Sequence, residues 1–101
     1  MPVAYLIVEM NISDPDRYRE YMAAAPAAVK AAGGEYLVRG GRSETLEGDW
    51  QPHRIAVLRF PSYEQAQAFY DGPAYRDVRA KRAGATEYFN MVLVEGVPAP
   101  V

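Results

Sequence analysis

Two arginines carry the most visible chemistry in this sequence. Arg54 opens the run Arg54-Ile55-Ala56-Val57-Leu58-Arg59-Phe60, in which alternation puts it on one face with Ala56, Leu58 and Phe60. A guanidinium entering an apolar layer needs an anionic partner, either a protein carboxylate or the acid group of a ligand. The alternative is an arginine at the strand's edge with its head in water. Arg39 precedes Gly40-Gly41, where missing side chains let a ligand or another backbone approach closely. Its alternative is a bulge that curves the sheet, with Arg39 paired to Glu44 or Glu47. On neighbouring strands the two arginines would form a carboxylate clamp.

Other side chains stand near these in sequence. His53, the only histidine, suits acid–base work near neutral pH or axial ligation of a haem, although a histidine beside a turn is commonly just solvated. Asp49 is a candidate general base, but a turn aspartate usually bonds its own backbone. Trp50 is a large ring in a turn; it caps the core, walls a pocket or, as the favoured reading, packs against a partner subunit. Most of the eight tyrosines read as core residues whose hydroxyls reach the surface; the alternative makes Tyr18, Tyr70 or Tyr75 line a cavity between helices and sheet. Arg76, Arg79, Lys81 and Arg82 read as a solvated helix face. Without cysteine there are no disulfides, thiol nucleophiles or thiolate metal sites, and with one histidine a conventional zinc site is not expected. No phosphate loop, dinucleotide fingerprint or nucleophile elbow occurs, so no metal or cofactor is called for.

The elements that must hold these residues can be traced along the chain. Val3 to Asn11 is a strand apolar on both faces until Glu9. Asp14-Pro15 starts a helix, with Asp14 as N-cap and Pro15 at the first helical position. Tyr18, Tyr21, Met22, Ala25 and Val29 follow helical spacing, Pro26 should kink or split the helix by removing a hydrogen bond to Met22, and Gly33-Gly34 ends it. Glu35 to Arg39 is a strand, expected to resume over Arg42 to Glu47 after the glycine bend. Arg54 to Phe60 follows as the third strand. Ser62 with Gln65 forms a capping box that opens a second helix. Gly72-Pro73 breaks that helix and restarts it over Ala74 to Ala83, and Glu87 to Glu95 is the last strand.

The order β-α-β-β-α-β predicts an α+β ferredoxin-like fold, a four-stranded antiparallel sheet with helices on one face. The other face, with Val3, Tyr5, Ile7, Ile55 and Val57, is too apolar for water and predicts a homodimer packed sheet to sheet. Residues 1–96 read as a single domain and 97–101 as a short proline-rich tail. A length of 101 residues suits one domain, for which a partner would add core. The net charge of −2 gives no reason to expect nucleic acid. No apolar run approaches the roughly 20 residues of a membrane span, and no signal peptide is visible. With no cysteine, a cytoplasmic protein is the expectation.

Several stretches then carry a family resemblance. Gly33-Gly34-Glu35-Tyr36-Leu37-Val38-Arg39-Gly40-Gly41 and Leu46-Glu47-Gly48-Asp49-Trp50-Gln51-Pro52-His53-Arg54 resemble segments typical of the domain-of-unknown-function 1330 family. Phe60-Pro61-Ser62, Tyr70-Asp71-Gly72-Pro73-Ala74-Tyr75 and Val94-Glu95-Gly96 match as well, so the resemblance spans about Ala4 to Gly96. It implies a dimeric α/β barrel, shared with small monooxygenases, muconolactone isomerases and chlorite-dismutase-like proteins, but no particular reaction. His53 lies outside the family pattern. The expectation is a small homodimer that binds a small, acidic or aromatic molecule between helices and sheet. The alternative is a cofactor-independent monooxygenase or an isomerase/lyase of small organic molecules.

Overall fold

A computed structural model describes residues 2–98; of the expected tail, residues 99–101 lie outside the described part. The elements are β1 (Ala4–Ile12), α1 (Pro15–Ala31), β2 (Glu35–Arg39), β3 (Arg54–Phe60), α2 (Tyr63–Asp71), α3 (Pro73–Ala80) and β4 (Thr86–Glu95). The strands form one antiparallel sheet in the order β2-β3-β1-β4, with β2 and β4 at the edges. This is the expected ferredoxin-like arrangement.

Local chemistry sets the helix ends. The Arg17 amide donates to Asp14 Oδ1 at 3.1 Å, and Pro15 follows the cap as anticipated. Ser62 caps α2 by accepting from the Gln65 amide at 3.1 Å. The Gly34 amide donates to the Val29 carbonyl at 2.9 Å, closing α1 after Gly33 turns the chain with φ 84°.

The core lies between sheet and helices. Ala4, Leu6, Val8 and Met10 of β1 and Ala56, Leu58 and Phe60 of β3 are buried against Tyr18, Tyr21 and Val29 of α1 and Phe69 of α2. The opposite face follows from the register. Val38, Val57, Ile7 and Val92 lie in one row across all four strands, and Glu35, Arg59, Tyr5 and Val94 in the next. Of these, Ile7, Val38, Val92 and Val94 are exposed, so the sheet presents an apolar second face with no helix over it.

Three expectations change. Arg42 to Glu47 is not a strand. The Gly40 amide still donates to the Ile55 carbonyl at 2.8 Å, but β3 begins at Arg54, so residues beyond Gly41 have no strand to pair with. They join an exposed loop within which Thr45 Oγ1 donates to the Trp50 carbonyl at 2.6 Å. The bulge sits earlier, at Leu37, where the β2–β3 register shifts between Tyr36 and Val38. Pro26 does not split α1, which runs unbroken from Pro15 to Ala31. The Met22 carbonyl that Pro26 leaves without an amide accepts instead from Arg39 Nη2 at 2.6 Å. The basic residues after Gly72 are not uniformly solvated: the Arg79 and Arg82 heads lie over aromatic rings, because β4 brings Phe89 and α2 brings Tyr70 beneath them.

Candidate functional site

Between α1 and the sheet lies a small enclosed cavity of about 30 Å³. Arg39 and Arg54 border it together with Tyr18, Tyr21, Tyr36 and Tyr75, while Val8, Ala56 and Leu58 belong to its apolar wall. Strand alternation points Arg54 to this side, as the sequence predicted, and the bulge at Leu37 returns Arg39 to it opposite Ala56. Gly40, at φ 71°, makes room for Arg54: a Cβ there would collide with the guanidinium.

The charges at this cavity are one-sided. Among the described residues no carboxylate comes within ion-pair distance of Arg39 or Arg54, and neither Glu44 nor Glu47 pairs with Arg39. Arg39 is exposed, bonds Met22 and lies 4.8 Å from the Tyr36 ring centre. The half-buried Arg54 side chain makes no hydrogen bond to the described residues. Tyr21 and Tyr75 share a buried hydroxyl–hydroxyl hydrogen bond of 2.6 Å. Burial pushes the Tyr18, Tyr21 and Tyr36 phenols above their ordinary range, with Arg54 opposing the shift at Tyr18 and Arg39 at Tyr36. They are therefore neutral hydroxyls at physiological pH. Guanidinium and phenol donors with no carboxylate or imidazole in the wall suit anion recognition. They offer no group that accepts a proton near neutral pH.

The remaining candidates lie elsewhere. Tyr70 is on α2 and lines a different hollow. Asp49 and Trp50 are in the exposed loop, with 61% of the Trp50 surface in solvent. His53 belongs to a cluster on the other face of the sheet. There the Glu9 carboxylate, buried to 8% exposure, accepts from the His53 amide at 3.1 Å and from the Tyr88 hydroxyl. His53 Nδ1 is 2.8 Å from the same hydroxyl. Because that phenol donates to Glu9, it is the Nδ1–H of His53 that points to Tyr88. The Tyr88 bond holds Glu9 below the usual carboxylate range, while the Tyr88 phenol is pushed up to about 12. Sequence reasoning missed Glu9 and Tyr88. The available signal was Glu9 itself, the one charge on a strand otherwise apolar on both faces. Among the described residues no three of His, Cys, Asp and Glu converge as metal ligands. None of the described helices is long and apolar enough to cross a membrane.

This architecture defines a ferredoxin-like α+β protein of the kind that occurs as dimers among solved structures. The chain belongs to the family described as Domain of unknown function (DUF1330), whose model matches residues 3–97. Its fold is similar to that of a protein of unknown function from Rhodopseudomonas palustris, with TM-score 0.72, 16% identity, and coverage of 96% of this chain and 84% of that one. A dimeric ferredoxin-like protein of unknown function from Jannaschia sp. CCS1 gives TM-score 0.70 and 17% identity over 93% of this chain and 99% of that one. A protein from Nitrosomonas europaea, provisionally described as an antibiotic biosynthesis monooxygenase, gives TM-score 0.59 and 17% identity over 97% and 92% of the two chains. At these identities the likeness shows the fold alone. No curated protein matches the chain.

Proposed function

We propose that this protein is a homodimer, paired through the open faces of its sheets, in which each subunit binds a small organic acid between helices and sheet. One observation carries the binding reading: Arg54 enters the helix–sheet layer beside a cavity, and no carboxylate of the described residues pairs with it. A guanidinium kept there without a protein anion is set to receive one from a ligand. At about 30 Å³ the cavity takes a water or the head of a carboxylate, so the body of the ligand extends past Arg39 toward solvent. Opening Arg39 from Met22 is the simplest way in. Dimerisation is supported by the row Val38, Val57, Ile7 and Val92 and by the dimeric neighbours in the fold comparison. Trp50 and Leu46, exposed on their loop, extend the same partner-facing surface in this reading.

The monooxygenase reading is favoured only by the description of the Nitrosomonas europaea neighbour. Chemistry that removes a substrate proton has no acceptor in this cavity wall, and His53 and Asp49 lie away from it. Binding without transformation is therefore preferred.

Thermal unfolding with acetate, propionate and lactate against their neutral amides tests the acid site. The acids should raise Tm, the amides should not, and Arg54→Gln should abolish the shift. Equal shifts in wild type and Arg54→Gln would show that the acids bind elsewhere.

A further inference from the structure

The Arg54 cavity shares part of its wall, Phe89 and Met91, with a second hollow on the helix side of the sheet. This groove, of about 500 Å³, runs between α2 and the edge strand β4. Met91 and Leu93 give it an apolar wall above the buried Leu6 and Ala66, while Gln67, Tyr70, Asp71, Arg82 and Asn90 bring polar groups to it. Its volume falls in the range of about 300–1,000 Å³ common for small-molecule sites.

Arg82 is its distinctive member. The guanidinium carbon lies 3.6 Å from the centre of the Phe89 ring and 5.4 Å from that of Tyr21. Nε is buried with no hydrogen-bond partner among the described residues, and no described carboxylate pairs with the side chain. The terminal nitrogens are not closed off in this way and make no hydrogen bond to the described residues either. Stacking on an aromatic ring lowers the cost of holding the cation in place, but ring faces do not satisfy its N–H donors. The groove thus combines a fixed, under-bonded cation with an apolar bed of ligand size.

We propose that this groove is a binding site for a monoanionic carboxylate with an apolar, aromatic-sized body. The carboxylate meets the terminal nitrogens of Arg82, and the body lies along Met91 and Leu93. Asp71 sets the charge preference, because it disfavours a second negative charge in the same hollow. The site uses neither Arg39 nor Arg54 and stands apart from the acid site proposed above.

The test is an amide chemical-shift titration of the labelled protein with phenylacetate, its neutral isostere phenylacetamide and the dianion phenylmalonate. Phenylacetate should give saturable shifts centred on Ala66, Gln67, Met91 and Leu93. Phenylacetamide and phenylmalonate should each bind at least about tenfold more weakly, as expected for losing one charge-assisted contact or adding one repulsion. Arg82→Gln should weaken phenylacetate by a similar factor, whereas Arg54→Gln should not. Since Arg82→Gln also removes a stacked side chain, Gln67→Trp serves as a second variant. Gln67 is exposed on α2, so the new ring fills the groove with the fold kept, and groove shifts should vanish. Shifts centred on Tyr18, Arg39 and Arg54 would overturn the groove site and leave the Arg54 reading standing. Equal binding of phenylacetamide, or no saturable shift at millimolar phenylacetate, would overturn the groove site too. Groove binding alongside acetate shifts that ignore Arg54→Gln would instead retain this site and remove the Arg54 reading.

Discussion

Arg54 reaches the helix–sheet layer because residue 40 has no side chain. Gly40→Ala places a methyl group against the guanidinium at a backbone φ of 71°, where an L-residue costs about 1–2 kcal/mol. Chemical denaturation should show a loss of at least that size. Gly41→Ala, with nothing within 4 Å of its Cβ, should be near neutral, and equal costs at the two positions would contradict the packing described. Glu9 gives a second residue-level test. Its folded carboxyl titrates below the usual range, so its contribution is fully present above the unfolded value near 4.5 and is lost as pH falls through the lower folded one. Tyr88, pushed up to about 12, works in the opposite sense: its contribution is present below about 10 and is lost as pH rises toward 12. Glu9→Gln should therefore flatten the acid limb of the stability curve and soften its alkaline limb. An unchanged acid limb would show that the Tyr88–Glu9 bond is not made in solution. The placement of Arg54 was legible because alternation over seven residues decides a face. Glu9 escaped because its partners, His53 and Tyr88, are 44 and 79 residues away in sequence.

At the scale of elements, α1 and β2 are joined by an exchange of partners. Pro26 removes the amide that would bond the Met22 carbonyl, and Arg39 takes its place from the neighbouring strand. Arg39→Ala should cost about 1 kcal/mol, modest because the side chain is exposed. In a Pro26→Ala background the restored helix amide supplies the bond, so the same change should cost clearly less. Additive effects in that double-mutant cycle would contradict the exchange. The missing helix bond could be read from the sequence; the identity of the group replacing it could not, because it comes from another element. Caps and strand cores were legible for the opposite reason, since Asp14, Ser62 and the apolar alternation act within a few residues. The segment Arg42 to Glu47 was misread because a strand needs a hydrogen-bonding neighbour, and β3 ends its pairing by Gly40. Trp50 and Asp49 follow in the same exposed loop and so stand away from the cavity.

For the whole molecule the question is what covers the second face of the sheet. The helices bury one face, and the row Val38, Val57, Ile7 and Val92 leaves the other apolar. A polar cluster lies toward one end of that surface, at Glu9 and Tyr88, and the Arg59–Glu35 ion pair toward the other. An apolar centre with polar ends is the composition expected of a protein interface. The alternation of β1 made this face readable from sequence, whereas the bulge that brings Leu37 and Val38 to it did not show in the residue pattern. Val57→Lys puts a charge at the centre of the row on a side chain that contributes nothing to the helix-side core. It should separate the subunits while leaving each fold intact. Multi-angle light scattering at micromolar concentration tests this pairing directly. The wild type should have twice the 11.2 kDa chain mass and Val57→Lys the single mass. A wild-type monomer, or a dimer indifferent to Val57→Lys, would contradict sheet-to-sheet pairing.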